Sequence, residues 1–370
     1  MRKCFLIPLL LWAATAAAFP PLARHWPMHP ANSEMVTFLG EAAGNIAKVR
    51  LSYRRSIITK AGESKVYTPN EDDTELKVCL ANPPQAVVRC LFTMPRAFPA
   101  ASWVTFTVKS WDANGKMEME EYAFAAGEFP FPRQAIPIRV STVNARAFSV
   151  VFIPTNDLSA PELRAKLRDV VDLYFRFPDI SDHRRFHNFY YSAEPGIYSR
   201  VADAGGKFHC VFTGPDNMSL LIKSGGNAFA YLHKASERDC KRGNRFSSEV
   251  DDARPLLHES GHAFFGLVDE YCCDSPAKQQ RCVPNLYDSL AACQRDAPNV
   301  GFPPTNCIQV AANGQTTNHW RIDPAGTGGC IMGDAELTLT PIFEKACVRR
   351  ILKRYEDCAA GNCFPKKDCP

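Results

Sequence analysis

From about Met35 to Ala145 the chain runs in short stretches that alternate between apolar and polar residues. Val104, Phe106 and Val108 are separated by Thr105 and Thr107, the period of a half-buried strand. Asp112-Ala113-Asn114-Gly115 then offers a hairpin turn, because Asn-Gly tolerates positive φ, and Met117 to Phe124 reads as the return strand. Cys79 and Cys90 flank an Asn-Pro-Pro segment, which suits a bridge across a turn. Residues 19–35 hold four prolines and little periodicity, so they read as an extended lead-in. Together, residues 19–145 predict a small β-sandwich, with a binding module or a propeptide as its possible roles.

The pattern changes after Ala147. Ser149-Val150-Val151-Phe152-Ile153 is an almost unbroken apolar run, as expected of a strand buried on both faces. Ser159, Pro161 and Glu162 form a helix start with a capping box and a first-turn proline. Leu163, Leu167, Val170, Val171 and Tyr174 follow on one helical face. Phe186 to Tyr191 and Ala228 to Leu232 read as further strands, which implies a mixed sheet with helices packed on it. A helix capped by Asp251 or Asp252 runs to Gly266, where positive φ is commonly needed. Cys272 to Gly329 predicts loops with helical turns near Leu286 to Cys293. Thr340-Pro341 opens a last helix, with Phe343, Cys347, Ile351 and Tyr355 on its buried face. Lys345, Arg349, Arg350, Lys353 and Arg354 are expected on its solvated face. The expected class is α+β: the sandwich, a second domain over 146–357, and a Cys-rich tail over 358–370.

Composition adds a location. Arg2 and Lys3 precede a short apolar run from Cys4 to Trp12, and Ala16-Ala17-Ala18 offers a small-residue cleavage site. Residues 1–18 therefore read as a secretory signal, with Phe19 as the mature start and no stable membrane anchor after its removal. The chain holds fifteen cysteines, and an even number remains once Cys4 leaves. Disulfides in a secreted, extracellular or periplasmic protein are the expectation. No Cys-x-x-Cys pair occurs, which argues against a zinc ribbon. A formal net charge of +4 across 370 residues gives no reason to expect nucleic acid as a partner. Asn217-Met218-Ser219 is a glycosylation sequon.

The chemistry gathers in His258-Glu259-Ser260-Gly261-His262. Two histidines four apart on a helix share a face, so both imidazoles can reach one metal ion. Glu259 is then placed to act on a water at that metal. The continuation Ala263-Phe264-Phe265-Gly266-Leu267-Val268-Asp269-Glu270-Tyr271 makes a chance pairing of two histidines a poor explanation.

This fourteen-residue string resembles the zinc-site motif of the IgA-peptidase-type secreted metallopeptidases, a metzincin-like group. The resemblance implies a zincin-like catalytic domain with one catalytic Zn2+. Its ligands would be His258, His262 and Asp269, with Glu270 as the alternative third ligand, and Glu259 would be the general base. It also implies that Met332, in Gly328-Gly329-Cys330-Ile331-Met332-Gly333-Asp334, lies beneath the metal in a Met-turn. Tyr271 would assist the oxyanion or support the metal. Ala228 to Leu232, including Tyr231, would be an edge strand that pairs with an extended substrate. The implied activity is zinc-dependent hydrolysis of a protein or peptide substrate. A zinc hydrolase of glycan-linked substrates and an inactive metalloprotease-like binding protein are the alternatives. His319, in the loop before the Met-turn, is a further residue to locate; His183, His187, His209 and His233 match no ligand spacing.

Overall fold

Alternation builds the first part of the fold as expected, and then the sheet does not stop. The computed structural model describes residues 21–61, 64–98, 100–142, 147–155, 157–175, 178–204, 206, 208–224, 226–235, 239–267, 285–312, 315–322, 332 and 345–361. The predicted signal segment lies outside them. β1 (Leu22–Trp26), β2 (Thr37–Ala61), β3 (Ser64–Thr93), β4 (Ser102–Asp112), β5 (Met117–Ala126) and β6 (Ile136–Ser141) come first. β4 and β5 form the predicted hairpin, in register from Ser102↔Ala126 to Trp111↔Met117, and Gly115 takes φ +81° in its turn. Residues 21–35 are more regular than the prolines implied. β1 pairs with β2 along all five residues, from Leu22↔Glu41 to Trp26↔Thr37.

β7 (Phe148–Pro154), α1 (Ala160–Tyr174), α2 (Pro178–Ser181), β8 (His187–Tyr191), β9 (Ile197–Ala202), β10 (Phe208–Thr213), α3 (Met218–Lys223) and β11 (Ala228–His233) follow. Next come β12 (Lys241–Arg242), β13 (Arg245–Glu249), α4 (Ala253–Ser260), α5 (Leu290–Asp296), β14 (Cys307–Ala312), β15 (Gln315–Ile322) and α6 (Lys345–Ala359). The capping box at Ser159 and Glu162 is present, and the five residues predicted for the inner face of α1 are all buried.

The expected α+β arrangement, a separate sandwich before a zincin-like domain, is not what the chain adopts. Among the described residues strand outweighs helix, 47% to 24%. One eleven-stranded mixed sheet runs β1-β2-β4-β5-β6-β8-β7-β11-β13-β12, with β3 pairing β2 off this path. The physical reason lies in β6. Its last residues pair with β5 at Tyr122↔Ser141 and Ala123↔Val140. Its first residues pair with β8 at Ile136↔Tyr191 and Pro137↔Tyr190. One strand thus serves both halves, and hydrogen bonding continues from one to the other.

In the second half, β7, β8, β11 and β13 are parallel neighbours. Side chains alternate between two cores. Phe148, Val150, Phe152, Ala228, Ala230 and Leu232 pack into the core shared with the helices. Val151, Ile153, Phe229 and Tyr231 pack on the other face, against Tyr198, Phe212 and Leu221. Cysteine pairs stand at disulfide distance at Cys79–Cys90, Cys210–Cys240 and Cys293–Cys307, with Cα separations of 5.7, 6.5 and 6.0 Å. Such pairs fit a compartment outside the reducing cytosol. No described helix is long and apolar enough to cross a membrane. The sequon residue Asn217 is 1% exposed and donates its side-chain amide to the Arg133 carbonyl, so a glycan has no access to it in the fold.

Candidate metal centre

The histidine helix is built from two kinds of turn. α4 ends at Ser260 and continues as a single π-turn over Gly261–Phe265, which carries His262. Gly266 closes it in the left-handed region, φ 61° and ψ 34°, as its sequence predicted. Wide turns of this kind tend to occur inside helices at functional positions. Leu256, Leu257, Phe264 and Phe265 bury the helix against the core on both sides of the histidines.

His258 and His262 are half-buried, and their ring centroids lie 5.0 Å apart with the planes at 90°. His262 Nδ1 lies 2.8 Å from the Leu267 carbonyl. A carbonyl only accepts, so Nδ1 carries the proton and Nε2 is the basic nitrogen of that ring. Metal-ligating imidazoles are commonly oriented in this way. Glu259 is 5% exposed. Two imidazoles one turn apart, one with its tautomer set, are donors of the type zinc takes, and Glu259 is buried beside them.

The rest of the expected constellation divides three ways. Asp269, Glu270 and Tyr271 lie outside the described residues. Among the described residues no group of three or more His, Cys, Asp or Glu side chains could hold a metal ion. Met332 is fully buried in the same core as Leu256, Phe264 and Phe265. The edge-strand role of Ala228 and Tyr231 needs correction. β11 lies between β7 and β13, so both edges of its backbone are already paired. All six of its residues are buried, and Tyr231 points to the face opposite the histidine helix. Strand length and apolarity could not reveal this, because a central strand and an edge strand read alike when both are apolar. His319 sits half-buried on β15.

The supports of the helix went largely unread in the sequence. Tyr174 on α1 bonds Ser260, whose hydroxyl donates to the Leu256 carbonyl at 2.6 Å. Arg350 and Arg354 are buried, at 1% and 5% exposure, rather than solvated. Arg350 Nε donates to the Phe265 carbonyl at 2.8 Å, and Arg354 Nε donates to the Phe264 carbonyl at 3.1 Å. These are last-turn carbonyls of the histidine helix, where a cation also meets the negative end of the helix dipole. Spacing held a clue: Arg350 and Arg354 each immediately precede Ile351 and Tyr355, the residues assigned to the buried face. Two other members of the same row are paired outside, Arg349 with Asp296 and Lys353 with Asp357.

No known family model matches the chain, and no curated protein matches it. Solved structures give faint likenesses. One is the sporulation control protein Spo0M from Bacillus subtilis: 8% identity, TM-score 0.22, 31% of this chain and 51% of that one. Another is the ASH / PapD-like domain of human CEP192: 8% identity, TM-score 0.20, 35% of this chain and 96% of that one. A third is a Paenibacillus cycloisomaltooligosaccharide glucanotransferase: 10% identity, TM-score 0.24, 76% of this chain and 47% of that one. The chain thus spans about half the length of Spo0M.

Proposed function

We propose that the protein is a secreted zinc-dependent endopeptidase, with His258, His262 and Asp269 as ligands and Glu259 as general base. The observation that carries this reading is the pair of imidazoles one turn apart, with the His262 tautomer set by the Leu267 carbonyl and Glu259 buried beside them. The resemblance of the fourteen-residue motif to that of the IgA-peptidase-type enzymes supports it. The disulfide-distance cysteine pairs support its export.

Zinc bound there supplies Lewis acidity and lowers the pKa of its water toward neutrality. Glu259 would take the proton of the attacking water and return it to the departing amide nitrogen. His262 keeps its ring direction through the Leu267 carbonyl, so one of the two imidazoles is oriented in advance. Tyr271 is proposed as a helper at the oxyanion, and Met332 as part of the apolar floor.

Ligand and base separate in one experiment. Glu259→Gln keeps about one equivalent of zinc, as a non-ligand should, while casein hydrolysis falls by roughly two to four orders of magnitude. Asp269→Ala lowers zinc affinity by at least roughly ten- to a hundredfold. Retention of full hydrolysis by Glu259→Gln, or absence of zinc from the wild-type protein purified without chelator, would end this reading. Zinc loss in Glu270→Ala but not in Asp269→Ala moves the third ligand to Glu270.

A further inference from the structure

A cavity of about 250 Å³ lies between β1 and the C-terminal half of α1, floored by Tyr122 of β5 and Arg139 of β6. Its walls are braced. Glu120 accepts the Ala23 amide at 2.8 Å and pairs with both Arg139 and Arg184. Arg139 also donates to the Ala23 carbonyl at 3.0 Å and stacks 3.9 Å above the Tyr122 ring. β1 is therefore tied to the sheet through a buried charge cluster, and the space beside it cannot close without breaking that cluster.

The lining has two characters. Leu39, Val171 and Phe175 are apolar. Arg24, Arg139 and Arg168 bring three guanidinium groups against a single lining carboxylate, Asp172. Arg139 is engaged by Glu120. Arg24 is not fully engaged: its Nη1 stands 3.5 Å from Asp172 Oδ2, and its Nε is shielded from solvent with no hydrogen-bond partner among the described residues. The long contact with Asp172 leaves the exposed end of the Arg24 guanidinium at the cavity, where an acceptor can meet its Nη groups. Among the described residues Arg168 pairs with its sequence neighbour Asp169, at 3.1 Å on an exposed surface, a weak kind of pair.

We infer that this cavity binds a small monocarboxylate with an apolar body, its carboxylate on Arg24 beside Arg168 and its body against Val171, Phe175 and Leu39. A planar guanidinium fork matches a carboxylate. Asp172 in the same wall disfavours a dianion such as phosphate more than a monoanion. The site shares no residue with the histidine helix, so it stands or falls independently of the peptidase reading.

Calorimetric titration of the full exported chain with phenylacetate, phenylacetamide and inorganic phosphate tests this. Phenylacetate is expected to bind one saturable site. The neutral amide, phosphate and the variant Arg24→Met should each weaken binding by about tenfold or more, the scale of one charge-assisted hydrogen bond. Asp172→Asn removes the repelling charge and should bind phenylacetate several-fold more tightly; it carries the test should Arg24→Met fail to fold. The inference is overturned if phenylacetate does not bind, if the amide or phosphate binds as tightly, if Arg24→Met binds like wild type, or if Asp172→Asn weakens binding.

Discussion

β3 and β11 are both strands of one sheet, yet they solve opposite problems. Among the described residues β3 pairs with β2 alone, and its surface leaves Leu80, Val87 and Leu91 exposed at 74%, 46% and 48%. β11 is paired on both sides, and every one of its residues is buried. The first half of the sheet is antiparallel and tolerates water on one face. The second half is parallel around β7 and β11, covered by helices on one face and by β9, β10 and α3 on the other. A layer buried on both faces is stiff because each side chain is held by packing. That is the layer against which the histidine helix rests, through Phe148 with Phe264 and Phe265 at centroid distances of 5.5 and 5.7 Å.

The largest contrast between the halves should appear in their tolerance of truncation. Phe152 of β7 is fully buried and stacks on Phe189 at 5.8 Å. Phe152→Ala should cost about 3–5 kcal/mol, as large-to-small changes in cores do. Leu91→Ala on β3 should stay within about 0.5 kcal/mol, as an exposed substitution does. Urea unfolding of both variants measures the difference. Equal costs would mean that the outer face of β3 is covered in solution, and the contrast drawn between the halves would fail.

This contrast also sets what could be read from the chain alone. The β4–β5 hairpin, the capping box of α1 and the end of the histidine helix at Gly266 were legible, because each is written in residues a few positions apart. What escaped depends on partners far away in sequence. Ala23 and Glu120 are 97 residues apart, and Arg350 reaches Phe265 across 85. β6 reads like any short strand, yet by pairing at both of its ends it turns an expected sandwich and a separate domain into one sheet. The site divides in the same way. Spacing of four places His258 and His262 on neighbouring turns, whereas the central position of β11 and the burial of Arg354 come only from the assembled sheet and core.

Arg354 gives the next largest effect, and it concerns the stiff half. Its Nε bonds the Phe264 carbonyl from within the core. Arg354→Met keeps much of the side-chain volume but leaves that carbonyl short of a donor. The expected loss is about 1–3 kcal/mol, the cost of a buried polar group without its partner. Arg354→Lys should restore part of it, since an ammonium can donate but lacks the planar fork. Chemical unfolding reads both variants. No loss in the methionine variant would show that the helix end is held by apolar packing alone.

The smallest effect is one of pH, and it asks whether the two halves are joined as tightly as β6 implies. His29 lies in the lead-in between β1 and β2, and its Nδ1 is 2.6 Å from the Tyr191 hydroxyl of β8. Its Nε2 lies 3.0 Å from the Gly127 carbonyl. The carbonyl must accept, so Nε2 donates and Nδ1 takes the tyrosine proton; the ring is neutral. Burial, with Arg164 adding to it, pushes the His29 pKa down to about 4 from an ordinary 6.5. As pH falls below 6.5 the unfolded chain therefore gains a proton that the folded chain refuses, and stability falls. The loss continues until about pH 4, where the folded ring itself would protonate. His25 and His187 are held neutral by burial too and act in the same direction. For His29 alone the step from pH 7 to pH 6 is worth about 0.7 kcal/mol by linkage. His29→Gln, which can still donate to Gly127 and accept from Tyr191, should remove that increment while changing stability at pH 8 little. Unfolding midpoints of both proteins at pH 8, 7 and 6 measure it. An unchanged pH slope in His29→Gln would show that this ring is not the neutral clasp between the lead-in and β8.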